Sequence, residues 1–176
     1  MTALVLIFIV GTIFLIWFSW WASLKDKRFH GIYRFFSFDS ILALVLLNAR
    51  FWFVDPFRPL QVISWVCLVA SLPPGIQGFY MLKKFGRSKG KFEETTNLVA
   101  QGAYRYIRHP MYASLILLGL GAFLKNISLG TILLAFVNIF ALYLTAKADE
   151  KEMLSRFGGE YAAYMKKTRT FIPFIF

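Results

Sequence analysis

The feature that most limits what this chain can become is its start: from Met1 to Leu24 there is no charged residue. As a helix rising about 1.5 Å per residue, such a run crosses the roughly 30 Å hydrocarbon layer of a bilayer. No basic residue precedes it, and its end reads Trp20-Trp21-Ala22-Ser23 without a small-residue cleavage pattern. The run is therefore expected to be a retained span with interfacial tryptophans, not a signal peptide. Composition points the same way. With 58% hydrophobic, 19% aromatic and only 16% charged residues in 176, the chain carries more apolar surface than an aqueous core of its size can hold.

Four more spans are expected. A second runs from about 40 to 54, interrupted only by Arg50, near enough to the end to snorkel. A third covers 59–82 and contains Pro73-Pro74-Gly75, where loss of two backbone donors predicts a sharp bend or local unwinding. The fourth, 110–124, and the fifth, 126–146, are separated by little more than Lys125 and form a tight helical hairpin. The expected fold is thus all-α: one integral membrane domain over residues 1–176, five transmembrane helices and a short cytoplasmic C-terminal helix.

The charge is formally +11, from 20 Lys and Arg against 9 Asp and Glu. Nucleic-acid binding would need those basic residues gathered on one exposed face. Instead they lie between apolar runs, so anionic lipid and membrane orientation explain them better and no nucleic-acid partner is expected. Seventeen of the twenty fall after span one, after span three or in the tail, leaving Arg50, Arg58 and Lys125 on the other side. By the positive-inside rule the amino terminus is outside and the carboxyl terminus cytoplasmic. The single cysteine, Cys67, lies inside a span. It excludes an intrachain disulfide and any cysteine-built metal site, and no metal is expected.

Two polar segments share that basic face, 83–109 and 147–176. Pro110 suits a first helical turn, and the amides of that turn, with Arg108 and His109 beside them, make a natural seat for a carboxylate. The plainer account has Arg108 meeting lipid phosphate and His109 capping the helix. Span five continues into Lys147, Asp149, Glu150, Lys151 and Glu152 before Gly158-Gly159, after which Tyr161, Tyr164, Met165 and Thr168 recur at helical spacing. The plainer account of that stretch is an interfacial amphipathic helix anchored by tyrosines. A hairpin nevertheless returns the start of span four and the end of span five to one face, bringing Arg108 and His109 near Asp149 and Glu150.

The run Leu98-Val99-Ala100-Gln101-Gly102-Ala103-Tyr104-Arg105-Tyr106-Ile107-Arg108-His109-Pro110-Met111-Tyr112, followed by Asp149-Glu150, Phe157-Gly158, Tyr161, Tyr164 and Ile172-Pro173, resembles the signature of the isoprenylcysteine carboxyl methyltransferase and phospholipid methyltransferase superfamily. The likeness covers roughly the last 80 residues, with both halves in order. The resemblance implies methyl transfer from S-adenosylmethionine to a lipid-like or prenylated acceptor at the membrane face. It places Arg108 and Glu150 next to the reacting groups. It assigns Gly102, Tyr104, His109, Pro110, Met111, Tyr112, Asp149, Phe157, Tyr161 and Tyr164 to the cofactor, and Lys167 and Arg169 to the acceptor. The chain departs from the family in having Asp149 where a Glu is usual, and Lys167 where the prenylcysteine enzymes typically have an arginine. Glu150 is either a base for an amine or thiol acceptor or the group that orients Arg108.

Two rivals share some of these features. Membrane sterol reductases carry an Arg-His-Pro turn but follow it with Asn-Tyr, where this chain has Met111, Tyr112, Ala113 and Ser114. A lipid-binding scaffold would keep the motifs only as packing. Neither the acceptor nor the oligomeric state follows from the sequence.

Overall fold

The computed structural model describes residues 2–26, 28, 30–86 and 96–173. The expected basic positions Lys27, Arg87, Lys89 and Lys91 lie outside them. Among the described residues all regular structure is helical, apart from one isolated parallel β-bridge between Ile107 and Arg169. Five α-helices follow in order: α1 Thr2–Ala22, α2 His30–Leu47, α3 Pro59–Phe85, α4 Pro110–Phe123 and α5 Leu129–Lys167. Helices α1, α2, α3 and α5 are long and apolar enough to cross a membrane, and α4 is a shorter apolar helix. The protein is an all-α integral membrane protein. Its residues group into two compact units, 1–69 with 116–145, and 70–115 with 146–176.

In the first unit the second span is not where hydropathy put it. Instead of 40–54 it is α2, His30–Leu47, and it takes Arg34 and Asp39 into the helix. Hydropathy rejects both, yet each has a partner on or just beyond α1: Arg34 Nη2 donates to Ser23 Oγ, in the turn after that helix, at 2.6 Å and Asp39 Oδ1 accepts from Thr12 Oγ1 at 2.7 Å. A polar group paired between helices no longer forbids the membrane. The basic residue Arg34, expected in a loop, is therefore buried within a span.

The short α4 creates a second polar requirement. The last carbonyls of a helix have no partner inside it, and in an apolar setting each unpaired one costs several kcal/mol. Side chains supply the partners: Ser64 Oγ donates to the Gly121 carbonyl at 2.7 Å, Asn48 Nδ2 to Ala122 at 2.8 Å, and Gln61 Nε2 to Lys125 at 2.9 Å. Lys125 itself is buried, its Nζ 3.8 Å from the centre of the Trp65 ring and 3.2 Å from Gln61 Oε1. Its charge also faces the negative end of α4.

Of the sharp bend or local unwinding expected at Pro73 and Pro74, the unwinding does not occur: α3 stays helical through both prolines. Proline's fixed φ of about −65° is itself helical, so the pair removes donors without forcing the chain out of the helix. The nearby glycines serve close packing. A Cβ on Gly75 would lie 2.6 Å from Ser114 Oγ, and one on Gly78 2.9 Å from Met111 Cγ, so α4 approaches α3 to within a distance that only glycine permits. At the other end of the chain, Gly158 (φ 52°, ψ −125°) interrupts the helical backbone of α5, and a last helical segment follows it to Lys167.

Candidate functional site

The site is built where the second unit gathers the start of α4 and the end of α5. Gly102, at φ +59°, opens a 3₁₀ turn over Gly102–Arg105. The chain then runs alongside the tail: the Arg108 amide donates to the Arg169 carbonyl at 2.7 Å, the His109 amide to Thr170 at 3.1 Å, and the Arg169 amide to Tyr106 at 3.0 Å. These bonds occupy the amides just before the helix. Pro110 then begins α4, needing no donor of its own.

Arg108 is the hub. Its Nε donates to Glu150 Oε1 at 2.7 Å, its Nη1 to the carbonyls of Thr168 at 2.6 Å and Met165 at 3.2 Å, and its Nη2 to Thr170 Oγ1 at 3.0 Å. Every nitrogen of the guanidinium is thus used to hold the C-terminal segment against the start of α4. The side chains of Arg108 and Glu150 are 9% and 4% exposed, so this is no solvent-screened surface pair. Removing one partner would leave the other's charge buried.

Glu150 is equally committed. Its second oxygen, Oε2, accepts from Lys147 Nζ at 2.9 Å, and His109 Nε2 stands 3.6 Å from Oε1. Burial alone would raise its pKa, but the approach of His109, the hydrogen bonds from Lys147 and Arg108 and the charge of Arg108 outweigh it and hold the carboxyl at about 2. The group is a fixed anion at any physiological pH.

Aromatic side chains surround this pair. His109 and Tyr112 stack, 5.4 Å apart at 10°, and Tyr112 Oη donates to Asp149 Oδ2 at 2.6 Å. Tyr164 Oη donates to the Tyr104 carbonyl at 2.6 Å, tying the last helix to the 3₁₀ turn, and packs on Tyr161 at 5.7 Å. Burial, with neighbouring charges adding smaller effects, pushes the phenols of Tyr104, Tyr161 and Tyr164 well above their usual range, so all three stay neutral.

Of the residues singled out by sequence, Arg108, His109, Pro110, Tyr112, Asp149, Glu150, Tyr104, Tyr161 and Tyr164 come together in this cluster. Met111 is half-buried and faces the Gly78 position, and Phe157 is half-buried just before the Gly158 break. Lys167 and Arg169 have exposed side chains, and Arg169 enters the cluster through its backbone alone. Sequence reasoning missed Thr170 and gave Lys147 no partner. A Lys three residues before a Glu on a helix is a readable pairing signal; nothing about Thr170 marks it in advance. The buried His109 Nε2 has no hydrogen-bond partner. Beside it stand the first-turn amides of α4 and a set of neutral phenol faces, a combination that fits the carboxylate and sulfonium of S-adenosylmethionine.

No curated protein matches the chain. A family model described as phospholipid methyltransferase matches residues 60–160, a stretch that includes Arg108, His109, Pro110, Tyr112, Asp149, Glu150 and Phe157. That stretch is more than half of the sequence, and it carries Arg108 at the start of α4 with its partner Glu150, and Tyr112 with its partner Asp149: the chain belongs to the phospholipid methyltransferase family.

Proposed function

We propose that this protein transfers a methyl group from S-adenosylmethionine to a lipid-like acceptor at the cytoplasmic face of the membrane. The acceptor is a phospholipid amine or a prenylated cysteine carboxylate. Support comes first from the buried Arg108–Glu150 pair, which holds the tail against the start of α4, and then from family membership. The basic residues that follow spans one, three and five, sixteen of the twenty once Arg34 is placed within α2, support an amino terminus outside and a carboxyl terminus inside.

In this reading Arg108 and Glu150 are positioning residues. With both carboxylate oxygens bonded and the carboxyl held at about 2, Glu150 is too weak a base to take a proton near neutrality. His109 and the amides of Met111 and Tyr112 hold the cofactor's carboxylate, and Tyr104, Tyr161 and Tyr164 present ring faces to its positive charge. The bound cofactor supplies an electrophilic methyl on a sulfonium. The protein's part is alignment and exclusion of water, worth most where reactants are held in line. A carboxylate acceptor needs no base. For an amine the proton passes to Asp149, which Tyr112 holds in place. Lys167 and Arg169, exposed at the end of the last helix, meet the acceptor's anionic headgroup.

Ligand-dependent thermal stability tests the cofactor. A bound ligand stabilises the folded state by mass action, so S-adenosylmethionine and its demethylated product should raise Tm while NADPH does not. Stabilisation by NADPH alone would favour a sterol-reductase-like enzyme instead.

A further inference from the structure

The first unit holds a groove that the proposed methyl transfer does not use. It encloses about 550 Å³ and is lined by Val5 and Phe8 of α1, Ala43 and Leu46 of α2, Leu134 of α5, and Arg50 just beyond α2. That volume lies within the roughly 300–1,000 Å³ of small-molecule pockets. Arg50 is the one charged residue in an otherwise apolar lining. Its guanidinium lies 4.6 Å from the centre of the Phe51 ring. The acidic residue nearest to Arg50 along the sequence, Asp55, is bound to Arg58 at 2.8 Å.

The surroundings identify the depth at which Arg50 sits. Trp52, Phe53 and Trp65 form an aromatic cluster beside it, with ring centres 6.0 Å and 5.9 Å apart. Tryptophans gather at the level of lipid headgroups. From Arg50 the groove runs back along α2 to Ala43, seven residues or about 10 Å deeper. Its α1 wall belongs to a helix whose side chains, Leu4, Leu6, Ile9 and Val10 among them, are exposed and bulky. Helix partners in membranes prefer small residues at the contact, so this surface suits acyl chains better than a second copy of the protein.

We propose that the groove is a binding site for an anionic glycerophospholipid, with one acyl chain between α1, α2 and α5 and the phosphate on Arg50. A fork of N–H donors on a phosphate is the strong, charge-assisted kind of hydrogen bond. The lipid so held packs α1, which has few neighbours of its own, onto the rest of its unit.

Native mass spectrometry of the full-length protein, titrated with phosphatidylglycerol or phosphatidylcholine, tests this. The wild type should retain one phosphatidylglycerol. R50Q should weaken that binding by about tenfold, the loss of one charge-assisted contact; phosphatidylcholine, whose quaternary ammonium cancels the charge of its phosphate, should bind the wild type more weakly and lose less on R50Q. R50K should recover part of the phosphatidylglycerol binding, and A43F, which fills the groove while keeping the charge, should abolish it. Each variant is read only as a folded monomer by size exclusion and circular dichroism; Arg50 is exposed and Ala43 half-buried at the groove wall. Equal phosphatidylglycerol binding by wild type and R50Q would overturn the proposal. So would a dimer that A43F dissociates, which would make the groove a seat for a second copy.

Discussion

The arginine before α4 gathers four bonds: one carboxylate, two carbonyls and a threonine hydroxyl converge on it. Such a group is sensitive to shape as well as charge. Arg108→Lys keeps the charge but offers a point contact in place of a fork, and should lower methyl transfer at least about tenfold while the helices remain formed by circular dichroism. Glu150→Gln strands the guanidinium among carbonyls, and breaking a buried pair costs about 3–5 kcal/mol. It should lower Tm clearly and turnover by at least about tenfold. The sign of the pH effect follows from Glu150. Its folded pKa of about 2 is depressed from 4.5, so its contribution to stability is complete above about 4.5 and is lost as pH falls towards 2. Acid unfolding of the wild type should therefore show a component in that window that Glu150→Gln lacks. Both residues were legible in the sequence because a hairpin must return its ends to one face. Thr170 was not, since its part depends on the two-residue pairing of the tail with Ile107 and His109, a register that no periodicity announces.

Among the elements, α2 and α4 teach most. Hydropathy misplaced α2 because it scores Arg34 and Asp39 as if they faced lipid, whereas Ser23, just after α1, and Thr12 within it pair with them. The length of α4 was readable, but its consequence was not: a short helix ends inside protein, and Asn48, Gln61 and Ser64 complete its carbonyls. Asn48→Leu should leave the Ala122 carbonyl unpaired and cost about 1–3 kcal/mol, measured as a fall in Tm. The close approach of α3 to α4 depends on Gly75 and Gly78. Gly78→Val would drive its side chain into Met111 and Pro110 at the start of α4, so it should reduce stability and methyl transfer together. Gly158→Ala is a cleaner case. Nothing lies within 4 Å of the added carbon, so only the φ of +52° matters, and the cost should be about 1–3 kcal/mol.

For the whole molecule, the uncharged amino-terminal run made a membrane protein unavoidable, and α1 is indeed almost wholly exposed to whatever surrounds it. What that run did not reveal is how a chain of 176 residues keeps polar groups inside its spans. Part of the answer is pairing between segments, as for Arg34, Asn48, Ser64 and Asn138, and part is bonding back to the helix's own carbonyls, as for Ser40 and Thr145. Orientation belongs to this scale as well. A cysteine introduced at Lys151 should be labelled by a membrane-impermeant maleimide only after cells are opened, and labelling of intact cells would reverse the proposed topology. The central claim is methyl transfer to a lipid-like acceptor, and it is tested most directly by incubating membranes containing the protein with methyl-labelled S-adenosylmethionine and following the label into lipid and peptide extracts. Label should enter an organic-soluble product with the wild type and fall at least about tenfold with Glu150→Gln; equal label from both proteins, or none above membranes lacking the protein, would contradict the account.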